Sequence, residues 1–434
     1  MTSLEIYDTT LRDGTQQEGI SLTAGDKLAI SRLLDELGVA YVEGGWPGSN
    51  PKDDEFFRRA RTELDFGTAT LVAFGSTRHA GAEAAKDAQL AALVAAETEV
   101  VCLVGKSWDY HVEHALRTEL SEAIAMVGDS VEHLRSVDRR VFFDAEHFFD
   151  GYRTNPEFAL ATLKAAHDSG AERLVLCDTN GGTLPHDVDR VVREVAAAIP
   201  GAALGCHFHN DSGTAVANSL AAANAGITQI QGCVNGYGER TGNADLCSVI
   251  PNVSLKMGYG SIPEDRLSKL TRVSHHIAEI INLTLDDHLP YVGVSAFTHK
   301  AGLHTSALAR RPDAYEHMPA ASVGNSTRTV VSELAGRSTI LAKAQDTGLA
   351  LSSSEAQVVV DRIKELEHEG YHFEAADGSF ELLVRDAQGW TQPFFELESY
   401  RVFVEHRDGD VVAEATVKVH VDGERIVTTR EGDG

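Results

Sequence analysis

Two patterns of apolar and polar positions take turns along the first 260 residues. Short runs rich in β-branched residues occur at 4–11 (LEIYDTTL), 41–46 (YVEGGW), 68–76 (TATLVAFGS) and 100–106 (VVCLVGK). They recur at 140–148 (RVFFDAEHF), 173–181 (RLVLCDTNG), 203–210 (ALGCHFHN) and 227–236 (ITQIQGCVNG). Between them lie amphipathic or alanine-rich stretches such as AGDKLAISRLLDELG, NPEFALATLKAAHDSG and SGTAVANSLAAANAG, whose apolar spacing predicts helices. Eight strands alternating with helices, at about 30 residues per unit, predict an α/β protein built on a (β/α)8 barrel. The alternative, an open doubly wound sheet, rarely runs to eight such even units.

Past residue 260 the alternation stops. DRLSKLTRVSHHIAEIIN and SSEAQVVVDRIKELEHEG predict amphipathic helices. From FELLVRDAQGW (380–390) onward the pattern turns to β, and SYRVFVEHRDGDVVAEATVKVHVDGERIVTT alternates with period two around Asp-Gly turn signals. The expected division is a barrel over 1–262, helical linker subdomains over 263–392, and over 393–434 the opening of a β-rich regulatory domain.

Composition narrows the class. A hydrophobic content of 43% with 24% charged residues is that of a globular protein. The N-terminal MTSLEIYDTT has no signal-peptide pattern and no apolar run is long enough to span a bilayer, so a cytoplasmic protein is expected. Five cysteines occur without a CxxC pair, four of them in strand-like runs, which predicts buried free thiols. The net charge of −27 excludes a nucleic-acid partner, and an anionic substrate would need local arginines and a metal to hold it.

In a barrel of this kind, chemistry collects at the C-terminal ends of the strands. HFHND (207–211) closes the seventh run, and its two histidines at i and i+2 share a strand face, where both imidazoles can grip one cation or stand as ordinary partly buried side chains. TLRDGTQQEG follows the first run. Asp13 there offers a hard oxygen ligand and Arg12 a charge for an oxyanion, unless the two form only a salt-bridged loop. GYGERTGNAD (236–245) follows the eighth run and offers Asn243, or serves only as a glycine-rich turn.

These segments carry a family resemblance. Leu11-Arg12-Asp13-Gly14-x-Gln16, followed after ten residues by Lys27, resembles the first signature of the acyl-CoA-condensing metalloenzymes. That family contains the α-isopropylmalate, homocitrate and citramalate synthases and hydroxymethylglutaryl-CoA lyase. LGCHFHNDSGTA (204–215) resembles its second signature and GERTGNA (238–244) its third. EGGWPGSNPKD, FFDAEHFFDGY and LCDTNGGT look most like the (R)-citramalate synthase branch, which joins acetyl-CoA to pyruvate.

The resemblance implies a divalent metal held by Asp13, His207 and His209 with Asn243 beside them. Two nitrogens tilt the choice from Mg toward Zn or Mn, with Co also compatible. It implies that Arg12 polarises the keto oxygen, that Thr179 holds the oxo-acid carboxylate, and that Glu146 handles acetyl-CoA. Asp144 shares a strand face with Glu146 and is expected to couple to it, and Gln16 and Glu43 match further pocket positions. FTHKAGLHTSA (297–307) with His304, and Tyr315 downstream, resemble a segment that reaches the neighbouring barrel, implying a homodimer with a shared active site. Read from the residues alone, the same stretch is a surface helix with structural histidines.

The closest rivals are synthases for a larger 2-oxo acid, giving 2-isopropylmalate or homocitrate. Lyase chemistry is disfavoured because residues 236–245 lack the reactive cysteine those lyases carry in this loop. A non-catalytic metabolite sensor is disfavoured by the intact Arg12, Asp13, His207 and His209 set. VEGGWPGSNPKD (42–53) is expected at the catalytic mouth, with Gly45 leaving space near the metal. Because only the opening of a regulatory domain is read after Ser399, isoleucine inhibition is expected to be weak or absent, which a CoA-release assay with added isoleucine checks.

Overall fold

A computed structural model describes residues 3–300, 311, 315–331, 335–374, 376–390, 394–407 and 410–432. All eight expected strands form: β1 (Glu5–Asp8), β2 (Tyr41–Gly45), β3 (Thr70–Ser76), β4 (Val100–Lys106), β5 (Arg140–Glu146), β6 (Arg173–Asp178), β7 (Leu204–Phe208) and β8 (Gln229–Gly232). They pair in chain order, all parallel, and β1 closes the barrel by pairing with β8 at Ile6↔Ile230. Most strands are shorter than the sequence runs, whereas β4 spans its run unchanged and β5 and β7 keep Glu146 and His207 within the strand.

The period-two alternation has a direct structural meaning. Val100 and Cys102 of β4 and Phe142 of β5 point into the barrel, where they pack with Tyr7, Tyr41, Val72 and Phe74. Their neighbours Val101, Leu103, Val141, Phe143 and Ala145 point outward into the layer beneath the helices. Inward positions at the C-terminal end of β5 switch to carboxylates, Asp144 and Glu146, so the packed interior gives way to chemistry at the mouth.

Local signals fix the helices that follow. Helix α1 (Ala24–Leu37) starts in a capping box between Thr23 and Asp26 and ends at Gly38 in the left-handed region. Helix α2 (Pro51–Glu63) is capped by Asn50 with Pro51 at its first position. Helix α3 (Ala88–Ala95) is capped by Asp87. The stretches expected to be helical at 155–170 and 212–226 form Pro156–Asp168 and Ala215–Ala225.

The chain divides into two compact units, Met1–Thr298 with Glu316–Arg328, and His299–Tyr315 with Thr329–Gly434. In the second unit, Ser353–His368 is the expected amphipathic helix. FELLVRDA, read as the onset of β structure, is instead part of a helix, Asp377–Ala387. Phe380 and Val384 stand one helical turn apart and both are buried, while Leu382 is exposed, so the i, i+4 spacing outweighs the short apolar run. The β pattern begins at Glu396 with three antiparallel strands, Glu396–Arg407, Asp410–Val421 and Glu424–Gly432. No helix among the described residues is long and apolar enough to cross a membrane. All five cysteines are buried and free, as expected.

One close approach holds the mouth together. The helix Phe148–Thr154, which follows β5, lies with Gly151 against the loop after β4, and a Cβ at Gly151 would stand 2.1 Å from the Ser107 carbonyl oxygen. Backbone cannot step aside as a side chain does, so Gly151→Ala is expected to cost about 1–3 kcal/mol through overpacking. A lowered unfolding midpoint in a urea or thermal titration checks this.

Candidate active site

At the C-terminal mouth of the barrel lies a cavity of about 650 Å³, lined by Arg12, Asp13, Gln16, Asp144, Glu146 and Thr179 among others. His207 and His209 line it as well. The sequence-expected set is thus brought together from β1, β5, β6 and β7, with few exceptions.

Asp13, His207 and His209 converge, with one ligand atom of each lying within 4.8 Å of the others. Asp13 Oδ2 is 3.3 Å from His207 Nε2 and 3.9 Å from His209 Nε2. Burial works against the Asp13 charge, yet Arg12 beside it and the neighbouring His207 hold its carboxyl far below the usual range. Burial and the neighbouring His207 push His209 down to about 3, which keeps that imidazole neutral and its nitrogen lone pair available.

Asn243 is buried beside them, its backbone bridging that of His209. Its amide donates to the Tyr237 carbonyl at 2.9 Å, leaving Oδ1 without a hydrogen-bond partner among the described residues. His209 Nδ1 is likewise unpartnered. A buried carboxylate, two imidazoles and an orphaned amide oxygen form a donor set that fits a divalent cation of borderline hardness.

Gln231 was not anticipated. From β8 its Oε1 accepts from His207 Nδ1 at 3.0 Å, while its Nε2 donates to Asp144 Oδ1 at 2.9 Å. Because the Asp144 carboxylate takes the amide N–H, the amide oxygen must face His207, which sets the proton on Nδ1 and frees Nε2 toward Asp13. This is the outer support that ligating histidines commonly have. The available signal was the period-two placement of Gln229 and Gln231, which puts two buried amides on the inward face of a four-residue strand.

Arg12 is held from three sides. Its Nε donates to Glu43 Oε1 at 2.6 Å, its Nη1 lies 3.3 Å from Asp13 Oδ2, and its guanidinium carbon sits 3.7 Å above the Phe74 ring centroid. Glu43, expected on the pocket wall, is fully buried behind Arg12, and its second oxygen accepts from Tyr7 Oη at 2.5 Å. Burial raises the Glu43 carboxyl above its usual range against the pull of Arg12, and the nearby Asp144 adds to the rise. Asp144 couples to Glu43 and Cys102, whose ligand-type atoms all lie within 4.8 Å. Glu146 has a different partner, an ion pair with Lys106. The expected Asp144–Glu146 coupling therefore gives way to two separate pairings.

Thr179 lines the cavity, and its hydroxyl accepts from His147 N at 2.9 Å. Tyr315 belongs to the second unit and is half-exposed, and His304 lies outside the described residues. The expectation for Gly45 is corrected. It sits at φ +147°, and a Cβ there would meet the Asp53 carboxylate at 2.7–2.9 Å, so the missing side chain makes room for Asp53 and not for a metal.

With this geometry in place, comparison with known proteins is specific. Residues 3–277 match the HMGL-like family model and residues 291–371 match the homocitrate synthase post-HMGL domain-like model. The chain is 55% identical to an (R)-citramalate synthase of Streptomyces coelicolor, over 100% of this chain and 82% of that protein. It is 32% identical to a probable 2-isopropylmalate synthase of Methanopyrus kandleri, over 99% of this chain and 83% of that protein. Among solved structures, an HMG-CoA lyase of Bacillus subtilis superposes with a TM-score of 0.56 at 20% identity, over 66% of this chain and 96% of that one, a likeness of fold.

Gln231→Leu removes the acceptor that fixes the His207 tautomer while conserving volume. It is expected to weaken divalent-cation binding about 10- to 100-fold, as loss of such outer partners typically does. Calorimetric titration of the metal-free protein with Zn or Mn measures the change.

Proposed function

Because the chain belongs to the HMGL-like family and groups within it with the (R)-citramalate synthases, we propose that it condenses acetyl-CoA with pyruvate to give (R)-citramalate and CoA. The observation that carries this reading is the convergence of Asp13, His207 and His209 beneath an arginine that Glu43 locks in place. That arrangement sits in a chain sharing 55% identity with a relative of that activity, against 32% with one for a larger oxo acid.

Asp13, His207 and His209 would hold the divalent cation, with Asn243 beside them, and two nitrogens among the donors favour Zn or Mn over Mg. When bound, the cation supplies Lewis-acid polarisation of the oxo acid. Arg12 presents its guanidinium to the keto oxygen and meets the negative charge that grows there, and since Glu43 already fixes it, little reorganisation is needed. Thr179 and Gln16 stand on the cavity wall to orient the carboxylate.

Glu146, at the mouth and oriented by Lys106, is the base on the described barrel that takes a proton from the acetyl methyl group. The resulting carbanion forms the new carbon–carbon bond at the keto carbon, and the alkoxide collects a proton. Water then cleaves the thioester, releasing CoA and a second carboxylate and making the sequence effectively one-way. The same reading makes the working form a cytoplasmic homodimer in which His304 and Tyr315 serve the partner's barrel.

CoA release from acetyl-CoA and pyruvate, read with a thiol reagent, tests the assignment. Arg12→Ala and His207→Ala are each expected to lower turnover by at least 100-fold with the fold retained by circular dichroism, in line with the loss of an oxyanion-stabilising group. Turnover near that of the unaltered protein in either variant would sink the residue roles.

A further inference from the structure

The loop that leaves β2 builds a rigid wall whose function the condensation chemistry alone does not explain. Trp46 is fixed at every polar atom it has. Its backbone N–H donates to Asp53 Oδ2 at 2.9 Å and its indole Nε1 donates to Gln89 Oε1 at 2.7 Å. Its carbonyl accepts from Ser49 N at 3.2 Å and Ser49 Oγ at 2.6 Å. Its ring meets Phe74 edge-on, with centroids 5.2 Å apart. Asp53 is buried and anchored in turn by an ion pair with Lys27, which also donates to the Gly44 carbonyl at 3.0 Å.

What this wall separates is visible in the cavities. A second cavity of about 620 Å³ lies beside the first, lined by Thr15, Ile20, Leu22, Ser49 and Pro51 among others. Arg12, Gln16 and Trp46 line both. Arg12 cannot withdraw without stranding Glu43, so the indole of Trp46 is the apolar partition between the two spaces. A 2-oxo acid carries its oxygens on one edge and its alkyl group on the other. Asp13 lies off the edge of the Arg12 guanidinium, whereas the apolar surface in contact with Arg12 is the Phe74 face, with Trp46 packed against it.

We propose that Trp46 sets the upper size limit on the alkyl group of the 2-oxo acid, and that Gln89, which lines neither cavity, is the positioning residue that holds the indole across the gap. The inference rests on the oxo-acid condensation proposed above. It adds that discrimination against branched oxo acids comes from a partition braced from outside the site, so loosening the brace changes selectivity without touching any group that meets the substrate's oxygens.

The test compares kcat/KM for pyruvate, 2-oxobutanoate and 3-methyl-2-oxobutanoate by CoA release. Trp46→Ala is expected to raise the ratio of the branched acid to pyruvate at least tenfold, the range over which one or two methylene-sized contacts discriminate. Gln89→Leu is expected to shift the ratio in the same direction by a smaller factor, and Gln89→Glu, which keeps an acceptor for the indole N–H, to retain the original ratio. Should Trp46→Ala fail to fold, Gln89→Leu carries the test alone, because it leaves the wall residue in place. Ratios within twofold of the unaltered protein for both Trp46→Ala and Gln89→Leu overturn the proposal. A shift in Trp46→Ala with none in Gln89→Leu overturns the role of Gln89. Absence of CoA release from any oxo acid by the unaltered protein overturns instead the condensation itself, and is seen before any variant is compared.

Discussion

A carboxylate with no access to water governs this site. Glu43 is fully buried in the middle of β2, and it is tolerable there only because Tyr7 and Arg12 between them occupy both of its oxygens. Removing one member of such a pair typically costs about 3–5 kcal/mol, since the other charge is left stranded. Arg12 is therefore committed before any substrate arrives. Its remaining N–H groups face Asp13 and the cavity, and its face rests on Phe74. A solvated arginine would have to shed water and choose a rotamer during the reaction. Here folding has already done both.

Asp144 extends the same economy to the other side of the barrel. Burial raises its carboxyl, opposed by the nearby His207 and by the groups that donate to it, Cys102 and Gln231. It sits close to Glu43 without touching it, so two acids share a low-dielectric interior and each needs its own donors. Gln231 satisfies Asp144 with one end of its amide and His207 with the other. A carboxylate deep in the barrel thereby reaches the buried His207 through a single side chain. The direction of that amide is not free.

Much of the barrel was legible in the sequence because its strands are buried on both faces and read as short β-branched runs, several of which carry their polar residues toward the C-terminal end. Arg12, Asp13, His207 and His209 were visible as local motifs, and the structure brings them to one cavity. Glu43 was legible as a polar inward residue but not as the anchor of Arg12, because its partners lie 31 and 36 residues away in the chain. Gln231 and Lys106 escaped notice because their meaning comes from partners distant in the chain, Asp144 across the barrel from β8 and Glu146 on the neighbouring strand β5. FELLVRDA was misread because four apolar or aromatic positions in five residues fit either period, and only burial of Phe380 against Val384 settles it.

The exit from β2 rests on a second buried ion pair, between Lys27 and Asp53. Gly45 is a glycine so that Asp53 can reach back, and Asp53 reaches back to join Lys27 of α1, the start of α2 and the backbone of Trp46 in one knot. The donors suited to a metal come from β1, β7 and the loop after β8, whereas the wall comes from β2, β3 and α3. On the size limit proposed for Trp46, a single change at Trp46 or Gln89 alters which oxo acid is admitted while Asp13, His207, His209 and the Arg12–Glu43 pair stay in place.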